Sequence, residues 1–330
     1  MRALVTGANG FVGSHLVKML LDHGHEVRAL VRRRDESLNA MNVPTFNGDI
    51  RDYISIEPAF ENVDCVFHVA AVSGIWGAWK KYHSTNTIGT RNVVQACINR
   101  GVPKLVYTSS PSVTFDGNHQ VNENESVPYP KKWLCHYQHS KALAEQHVLD
   151  SNDPATLMTC ALRPHLIWGP GDSHLIPRII HRGRMKQLRR VGDGTNQIDT
   201  TYIDNAAVAH IQAAMAMQPN SPVCGSAYFI TNGDPVNCWA FINEILGLAG
   251  IGPVKQKISF YWAWRLGLAL EIYHETFGIQ EEPRMTRFLA AQLGKSHYFD
   301  IGRARRDFDY EPIVSADEGM RRLAGTLKSD

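Results

Sequence analysis

A glycine-rich turn close to the start of the chain constrains its fold more than any other feature. Arg2–Thr6 predicts a strand and Phe11–His23 predicts a helix, while Gly7, Gly10 and Gly13 recur at every third residue between and within them. Glycine lets the backbone turn tightly and approach an anion at a helix N-terminus, and the last glycine permits close packing of helix on strand. Because the triplet lies between a strand and a helix, it predicts a dinucleotide-binding loop.

The rest of the first half continues the alternation of short apolar runs with amphipathic ones. Further strands are predicted at Glu26–Val31, Thr45–Asn47, Asp64–Ala70, Lys104–Ser109 and Thr156–Leu162, and helices at Ile54–Glu61, Ser84–Arg100 and Cys135–Leu149. Strands that alternate with longer helices indicate an α/β fold with a parallel, doubly wound Rossmann sheet.

The pattern changes after residue 165, where helical segments dominate. Helices are predicted at Leu175–Arg184, Asn205–Met217, Cys238–Leu248, Tyr261–Phe277 and Val314–Leu323, with short strands near Leu188–Val191 and Tyr228–Thr231. We therefore expect a dinucleotide-binding domain over residues 1–165, to which segments near 193–217 return, and a smaller, mostly helical substrate lobe over 166–330. A cleft between two such lobes is a usual place for a ligand.

Composition excludes several classes of partner. The net charge of +2 and the short arginine run Arg32–Arg34 give no reason to expect nucleic-acid binding. The six cysteines are scattered without C-x-x-C spacing, so we expect free thiols in a reducing cytoplasm and no metal site. The N-terminus has no signal-peptide pattern, and the apolar stretch Phe260–Tyr273 is too short to span a membrane. Peripheral membrane contact through 260–277 and a homodimer are further expectations.

The end of the second predicted strand bears on the choice of cofactor. Sites that prefer NAD place an acid there for the ribose 2′-hydroxyl, whereas this chain has Val31 followed by Arg32 and Arg33. A guanidinium suits a 2′-phosphate, so we predict that NADP(H) is preferred and that NAD(H) also binds. Asp49, after Gly48, is placed either to meet the adenine amino group or to cap the next helix.

A Tyr/Lys pair supplies the predicted chemistry. Tyr137 and Lys141 are four residues apart on one helix face, and Tyr137 is the one tyrosine of the eleven with a lysine at that spacing. A nearby ammonium should lower the phenol pKa toward the working range. Ser110, at the end of the strand Lys104–Ser109, can hydrogen-bond a substrate oxygen. Asn86 is expected either to join a water relay or to cap its helix.

These residues carry a resemblance to the extended short-chain dehydrogenase/reductases along essentially the whole chain. The matching segments are Thr6-Gly7 with Gly10 and Gly13, Gly48-Asp49, His68–Ala71, Asn86 with Gly89-Thr90, Tyr107–Ser110, Tyr137 with Lys141, and Leu162–Pro164 with Gly169–Gly171. Later segments resemble the 3β-hydroxysteroid dehydrogenase branch, in particular its sterol-4α-carboxylate 3-dehydrogenases and bacterial 2-alkyl-3-oxoalkanoate reductases: Arg163–Asp172, Gly192–Gly194, Asp199–Asn205 and Tyr228–Asp234.

The resemblance implies an oxidoreductase that interconverts a secondary alcohol and a ketone, with a 3-hydroxy or 3-oxo group on a bulky apolar substrate. It implies that Ser110, Tyr137 and Lys141 form the catalytic triad. The predicted cofactor contacts are Gly7, Asn9, Gly10, Phe11, Val12, Gly13, Arg32, Asp49, Ile50, Val69, Ala70, Ala71, Tyr137, Lys141 and Pro164. The predicted substrate contacts are Trp76, Ser112, Trp133 and His165.

Three other functions stay open at this point. A nucleotide-sugar epimerase or dehydratase would usually have an acid at the position of Val31. A dihydroflavonol-type reductase of the same fold is excluded only weakly. A non-catalytic NADP sensor is a hypothesis of another class, although such sensors commonly lose the Tyr/Lys pair.

Overall fold

The computed structural model describes residues 1–33 and 35–327. Arg34, in the predicted basic run, and residues 328–330, which end the predicted lobe, lie outside the described residues. The strands are β1 (Arg2–Thr6), β2 (Glu26–Val31), β3 (Thr45–Asn47), β4 (Cys65–His68), β5 (Lys104–Thr108), β6 (Gln120–Glu123), β7 (Met158–Pro164), β8 (Ile167–Trp168), β9 (Arg190–Val191), β10 (Gln197–Ile198), β11 (Thr201–Tyr202), β12 (Ser226–Ile230), β13 (Val236–Asn237), β14 (Lys257–Ile258) and β15 (His297–Phe299).

The helices accompany these strands in the order that the alternation predicts. They are α1 (Phe11–Asp22), α2 (Glu36–Ala40), α3 (Tyr53–Ile56), α4 (Trp79–Tyr82), α5 (Gly89–Asn99), α6 (His136–Asp150), α7 (Leu175–Arg184), α8 (Ile203–Ala216), α9 (Cys238–Leu248), α10 (Phe260–Thr276), α11 (Arg287–Gly294), α12 (Gly302–Phe308) and α13 (Ala316–Leu327).

Seven parallel strands form the central sheet, in the order β12-β7-β5-β4-β1-β2-β3. Every residue of β4 and β7 is buried, as expected where helices cover both faces of a parallel sheet. The chain runs outward from β1 to β3 and then returns to the other side of β1 at β4, which leaves a crevice at the carboxyl ends of β1 and β4. The predicted Rossmann fold is confirmed.

Two apolar layers hold the helices on this sheet. On one face, Leu16 and Leu20 of α1 pack with Ala213 of α8 against the strands. On the other face, Val94 of α5 and Val148 of α6 do the same. Because α1 is held from both the sheet and α8, its N-terminus is fixed beside the crevice.

The second half of the chain contributes both to the central sheet with its helices and to the helical lobe. Within it, α8 packs against α1, and β12 pairs with β7 to form one edge of the central sheet. A third apolar cluster around Trp168, Ile180 and Phe241 joins α7 and α9 away from the sheet. The mostly helical lobe is present, while the domain boundary near residue 165 stays a prediction.

The aromatic helix α10 presents much of its apolar surface to solvent. Trp262, Ile272 and Phe277 are more than half exposed, whereas Ala263 and Gly267 are buried against the lobe. No helix in residues 1–33 and 35–327 has the length and apolar character needed to cross a membrane.

The predicted helix Ser84–Arg100 is not one regular helix. It begins earlier as α4, passes through a π-helical segment at His83–Ile88 and continues as α5. The wider turn of a π-helix commonly occurs at functional sites, and here it places Thr85 at the crevice.

Candidate active site

A cavity of about 430 Å³ opens along the glycine loop at the carboxyl ends of the strands. Its wall includes each of the residues predicted to contact a cofactor, from Gly7, Asn9, Gly10, Phe11, Val12, Gly13, Arg32, Asp49 and Ile50 to Val69, Ala70, Ala71, Tyr137, Lys141 and Pro164. The tertiary structure therefore brings the predicted cofactor residues, which come from six separate parts of the chain, to a single surface.

The glycine loop has no room for side chains. A Cβ on Gly13 would lie 2.1 Å from the carbonyl oxygen of Gly7, and one on Gly7 would lie 2.8 Å from Cα of Ala70. Gly7 also adopts a φ of +67°, a conformation that glycine tolerates best. Gly10 precedes α1 without a side-chain capping hydrogen bond, so the first amide groups of α1 face the cavity without a side-chain acceptor. Such free amides suit an anion.

The charged groups at the other end of the cavity are only partly those expected. Arg32 is exposed on the cavity wall, and its contact with a 2′-phosphate stays a prediction. Asp49 is held by Arg51 at 2.6 Å, and this hydrogen bond lowers the pKa of Asp49. The proposal that Asp49 caps the next helix is wrong, because Asp52 caps α3. Asp35, which caps α2, also accepts a side-chain hydrogen bond from Asn9, so an acid does approach the loop from outside β2.

Tyr137 and Lys141 line the cavity together from the first turns of α6. Lys141 is 2% exposed, and its Nζ donates a 2.6 Å hydrogen bond to the carbonyl of Thr108 at the end of β5. The ammonium also lies 4.2 Å from the ring centre of Tyr107. Burial lowers the pKa of Lys141 to about 7, since the charged form loses its hydration.

The hydrogen bonds of Ser110, which follows β5, leave its hydroxyl free to donate into the cavity. Ser110 Oγ accepts from the amide of Ser112 at 3.2 Å and from the Ser112 hydroxyl at 2.9 Å. Its own proton therefore remains for another acceptor in the cavity, and a side-chain hydrogen bond joins Ser110 to Tyr137.

The protonation of the phenol differs from the expectation. Burial raises the pKa of Tyr137 to about 12, and the hydrogen bond with Ser110 offsets only part of this rise. The expectation that Lys141 lowers this pKa is not met in the protein alone, because Lys141 is itself buried, tied to Thr108 and partly neutral at pH 7. The phenol is therefore a proton donor in this state.

A buried ion pair fixes α6 to the sheet directly beneath the Tyr/Lys pair. Arg163 on β7 donates to both oxygens of Glu145, with a shortest distance of 2.6 Å, and the two side chains are 4% and 0% exposed. The hydroxyl of Tyr129 donates a further hydrogen bond to Glu145. Because Glu145 follows Lys141 by one turn, this pair sets the rotation of α6 that presents Tyr137 to the cavity.

Asn86 does not reach the cavity wall, and it is not a helix cap. It lies inside the π-helical segment, where Oδ1 accepts from the amide of Val72 at 2.7 Å and Nδ2 donates to Val72 O and to Ser140 Oγ. It thus holds the segment after β4 against α6. It therefore positions Val72, which lines the cavity, and its predicted part in a water relay stays a prediction.

A second cavity of about 200 Å³ continues from Tyr137 into the helical lobe. It is mainly apolar and is lined by Ile75, Pro111, Phe115, Leu166, Phe288 and Phe299, with the polar groups Ser73, Ser110, Ser112, Gln120, His165, Gln292 and His297. Two predicted substrate residues, Ser112 and His165, are on this wall.

The two predicted tryptophans lie elsewhere. Trp76 and Trp133 line a third cavity of about 280 Å³ beside α10, and Trp133 stacks on His139. Their assignment to the substrate stays a prediction.

Sequence reasoning missed His297, which meets His165 at 2.6 Å across 132 residues of chain. No local pattern marks it, because its partner is set by the docking of β15 beside β10 rather than by spacing. Arg178 and Arg182 of α7 are both paired with Glu282.

The sequence of this chain matches a known family and close relatives. Residues 4–260 match the model of the 3-beta hydroxysteroid dehydrogenase/isomerase family. A 2-alkyl-3-oxoalkanoate reductase of Stenotrophomonas maltophilia is 46% identical, and the match covers 98% of this chain and 98% of that protein. The mouse sterol-4-alpha-carboxylate 3-dehydrogenase, decarboxylating, is 34% identical over 97% of this chain and 89% of that protein.

Solved structures agree on the fold. The crystal structure of gox2253 superposes with a TM-score of 0.81 at 26% identity and covers 99% of this chain and 98% of that one. The UDP-glucose 4-epimerase of Thermus thermophilus, solved with NAD, has a TM-score of 0.74 at 24% identity over 99% of each chain.

Proposed function

Because the chain belongs to the 3-beta hydroxysteroid dehydrogenase/isomerase family, we propose that it reduces or forms a 3-oxo group on a bulky apolar substrate with NADP(H). The chain is a nicotinamide-dependent oxidoreductase of CH–OH and keto groups. The favoured substrate is a 2-alkyl-3-oxo acid, and a 3β-hydroxysteroid-like alcohol is the alternative, as the names of its relatives suggest.

The meeting of two cavities at Tyr137 is the observation that carries this proposal. One cavity follows the glycine loop and the other is mainly apolar, and both are lined by Tyr137 and Ser110. A bound dinucleotide would lie along the first cavity and an apolar chain would enter the second. The reacting carbon would then lie where the two meet.

The residues of the first cavity fit a dinucleotide. The glycine loop excludes side chains and leaves uncapped amides at the N-terminus of α1, which suits a pyrophosphate. Arg32 lies at the far end of the same wall, where it would meet a 2′-phosphate. When bound, the nicotinamide supplies or accepts the hydride.

The roles of the protein groups follow from their hydrogen bonds. Tyr137 holds the proton that moves to or from the substrate oxygen, since burial keeps the phenol protonated. Ser110 donates to the same oxygen, because its own lone pairs already accept from Ser112. Lys141, whose ammonium is held by the carbonyl of Thr108, would bind the nicotinamide ribose. It would also stabilise the negative charge of the phenolate when the Tyr137 proton leaves.

The surface of α10 supports two further proposals about partners. Its exposed aromatic side chains favour peripheral contact with a membrane surface or with a second copy of the chain. Flotation with anionic vesicles and sedimentation of the protein alone distinguish these partners. A cytoplasmic location stays a prediction.

Turnover on a substrate panel tests the function. We expect the absorbance of NADPH to fall with a 2-alkyl-3-oxo acid, and little or no change with a dihydroflavonol or a UDP-sugar. Absence of turnover on every ketone and alcohol tested, with cofactor binding intact, would overturn the proposal.

Cofactor preference is tested by Arg32→Ala, with Arg33→Ala as the neighbouring control. We expect Arg32→Ala to weaken NADPH roughly tenfold or more and NADH little, because only NADPH has a 2′-phosphate for the guanidinium. Equal losses for the two cofactors would remove the argument for NADP preference.

A further inference from the structure

The hydrogen bonds of the histidine pair in the second cavity determine where its protons lie. Nε2 of His297 is 2.8 Å from the carbonyl oxygen of Gln292, which can only accept, so this nitrogen carries the proton. Burial lowers the pKa of His297 to about 4, so its Nδ1 is a bare acceptor. His165 Nε2, at 2.6 Å, must therefore donate to that Nδ1.

This chain of donors leaves one nitrogen of the pair free. The ring of His165 is also neutral, because burial and the neighbouring His297 lower its pKa, and its proton is on Nε2. Nδ1 of His165 is then a bare lone pair. No described residue hydrogen-bonds to it, and it is not among the enclosed partnerless atoms of residues 1–33 and 35–327. Because Nδ1 is not enclosed and His165 is on the wall of the second cavity, we assign its accessible side to that cavity.

Among the residues that the structure describes, the wall of the second cavity offers no lysine or arginine to bind an acid. The polar groups on this wall are hydroxyls, amides, Tyr137 and the two histidines. Lys141 lines the neighbouring cavity and is tied to Thr108. The carboxyl group of Asp199, next to β15, accepts from the amide of Phe299, and His119 is close enough to His297 to lower its pKa. Arg163, two residues before His165, is paired with Glu145.

The geometry of a 3-oxo acid brings its carboxyl group into this region. Only one carbon separates the carboxyl from the reacting carbon, so a substrate whose carbonyl meets Tyr137 and Ser110 must hold its carboxyl in the same cavity. A carboxylate there cannot hydrogen-bond to a bare nitrogen, and an unpaired buried charge is costly.

We propose that His165 recognises the carboxyl group of the substrate, which binds together with one proton held between a carboxyl oxygen and His165 Nδ1. This inference rests on the proposed function and names the group that selects acids at that site. The proton comes from solvent and adds to the lone pair of Nδ1, and no other bond changes. His165 then keeps its donation to His297, so the pair accepts the proton without rearrangement.

Proton uptake on binding tests the proposal. The probe is an unreactive 2-alkyl alkanoic acid that lacks the 3-oxygen, and its primary amide is the neutral control, both bound to the protein with NADP. Titration calorimetry at pH 8 in buffers of different ionisation enthalpy counts the protons. We expect about one proton taken up per acid and none per amide, with the acid affinity falling about tenfold per pH unit in this range.

Variants add a second readout. His165→Gln should abolish the uptake and weaken the acid roughly tenfold to a hundredfold while changing the amide little. Unchanged NADPH binding shows that this variant is folded. His23→Gln, an exposed histidine on α1's C-terminal side, should behave as the wild type.

The outcomes separate this inference from the proposed function. Turnover of the 3-oxo acid with no proton uptake by the probe, or equal weakening of acid and amide by His165→Gln, overturns the role of His165 alone. Failure of both probes to bind, together with no turnover on the panel, overturns both.

Discussion

Gly13→Ala tests whether the glycine loop lacks the space for even one added methyl group. The added Cβ would lie 2.1 Å from Gly7 O, 2.8 Å from Gly7 C and 2.9 Å from Cα of Ala8, all backbone atoms. The Gly7 carbonyl cannot retreat freely, because it accepts from Gly10 N at 2.9 Å and its own amide is bound to Leu30 O. Relief of the overlap therefore requires α1 or the loop to move.

The magnitude follows from two opposing terms. Alanine gains about 1 kcal/mol over glycine in a helix interior, and overpacking costs about 1–3 kcal/mol. Because the overlap is with backbone atoms, the cost should lie in the upper part of that range, about 2–3 kcal/mol, and we expect a net loss of about 1–2 kcal/mol. The entropy of unfolding of a chain of 330 residues is about 0.7 kcal/mol per degree, so Tm should fall by about 1.5–3 °C.

The matched control is Gly247→Ala in α9. A Cβ there meets nothing within 4 Å, so the helical gain remains and Tm should rise by up to about 1.5 °C. Calorimetric melts of both variants measure Tm, and titration with NADPH measures affinity. Displacement of α1 should weaken NADPH roughly tenfold or more in Gly13→Ala only, because the charge-assisted contacts of its amides are lost. A Tm equal to or above wild type, or an NADPH Kd within about twofold of it, would refute the reasoning.

Three further changes probe the site and its support. Tyr137→Phe should lower kcat by a factor on the order of 10²–10⁴ while NADPH affinity stays nearly unchanged. The control Tyr273→Phe, at an exposed tyrosine, should leave kcat unchanged. Similar kcat values for the two variants would contradict the proton-transfer role of Tyr137. Glu145→Gln should lower the free energy of unfolding by about 3–5 kcal/mol, because it leaves the guanidinium of Arg163 buried without a counter-charge. Glu311→Gln, in an exposed ion pair, should change the free energy of unfolding by less than about 1 kcal/mol. Chemical denaturation measures both variants, and equal effects would contradict the structural role of the buried pair. Burial raises the pKa of Asp199 to about 7, so the folded protein keeps a proton that the unfolded chain loses, and stability falls as pH rises from the ordinary aspartate pKa to about 7. Asp199→Asn should therefore gain a few kcal/mol relative to wild type at pH 8 and clearly less at pH 5, and a gain independent of pH would show that this carboxyl does not titrate as described.

Local patterns in the sequence were sufficient for the frame of the protein. The glycine loop is recognisable because its steric demand concerns residues adjacent in the chain, and the Tyr137/Lys141 pair because helical periodicity puts positions i and i+4 on one face. The alternation of strands and helices predicted the parallel sheet for the same reason, since burial on both faces leaves a continuous apolar run in each strand.

Only the tertiary structure determined the protonation of the site residues and the distant residues that join them. Burial, which no spacing reveals, makes Tyr137 a proton donor and removes much of the charge of Lys141. The π-helical segment places Asn86 inside a helix rather than at its cap, where it positions Val72. His297 joins His165 because β15 docks beside β10, and hydrogen bonds between distant segments, unlike helical periodicity, leave no trace in local sequence.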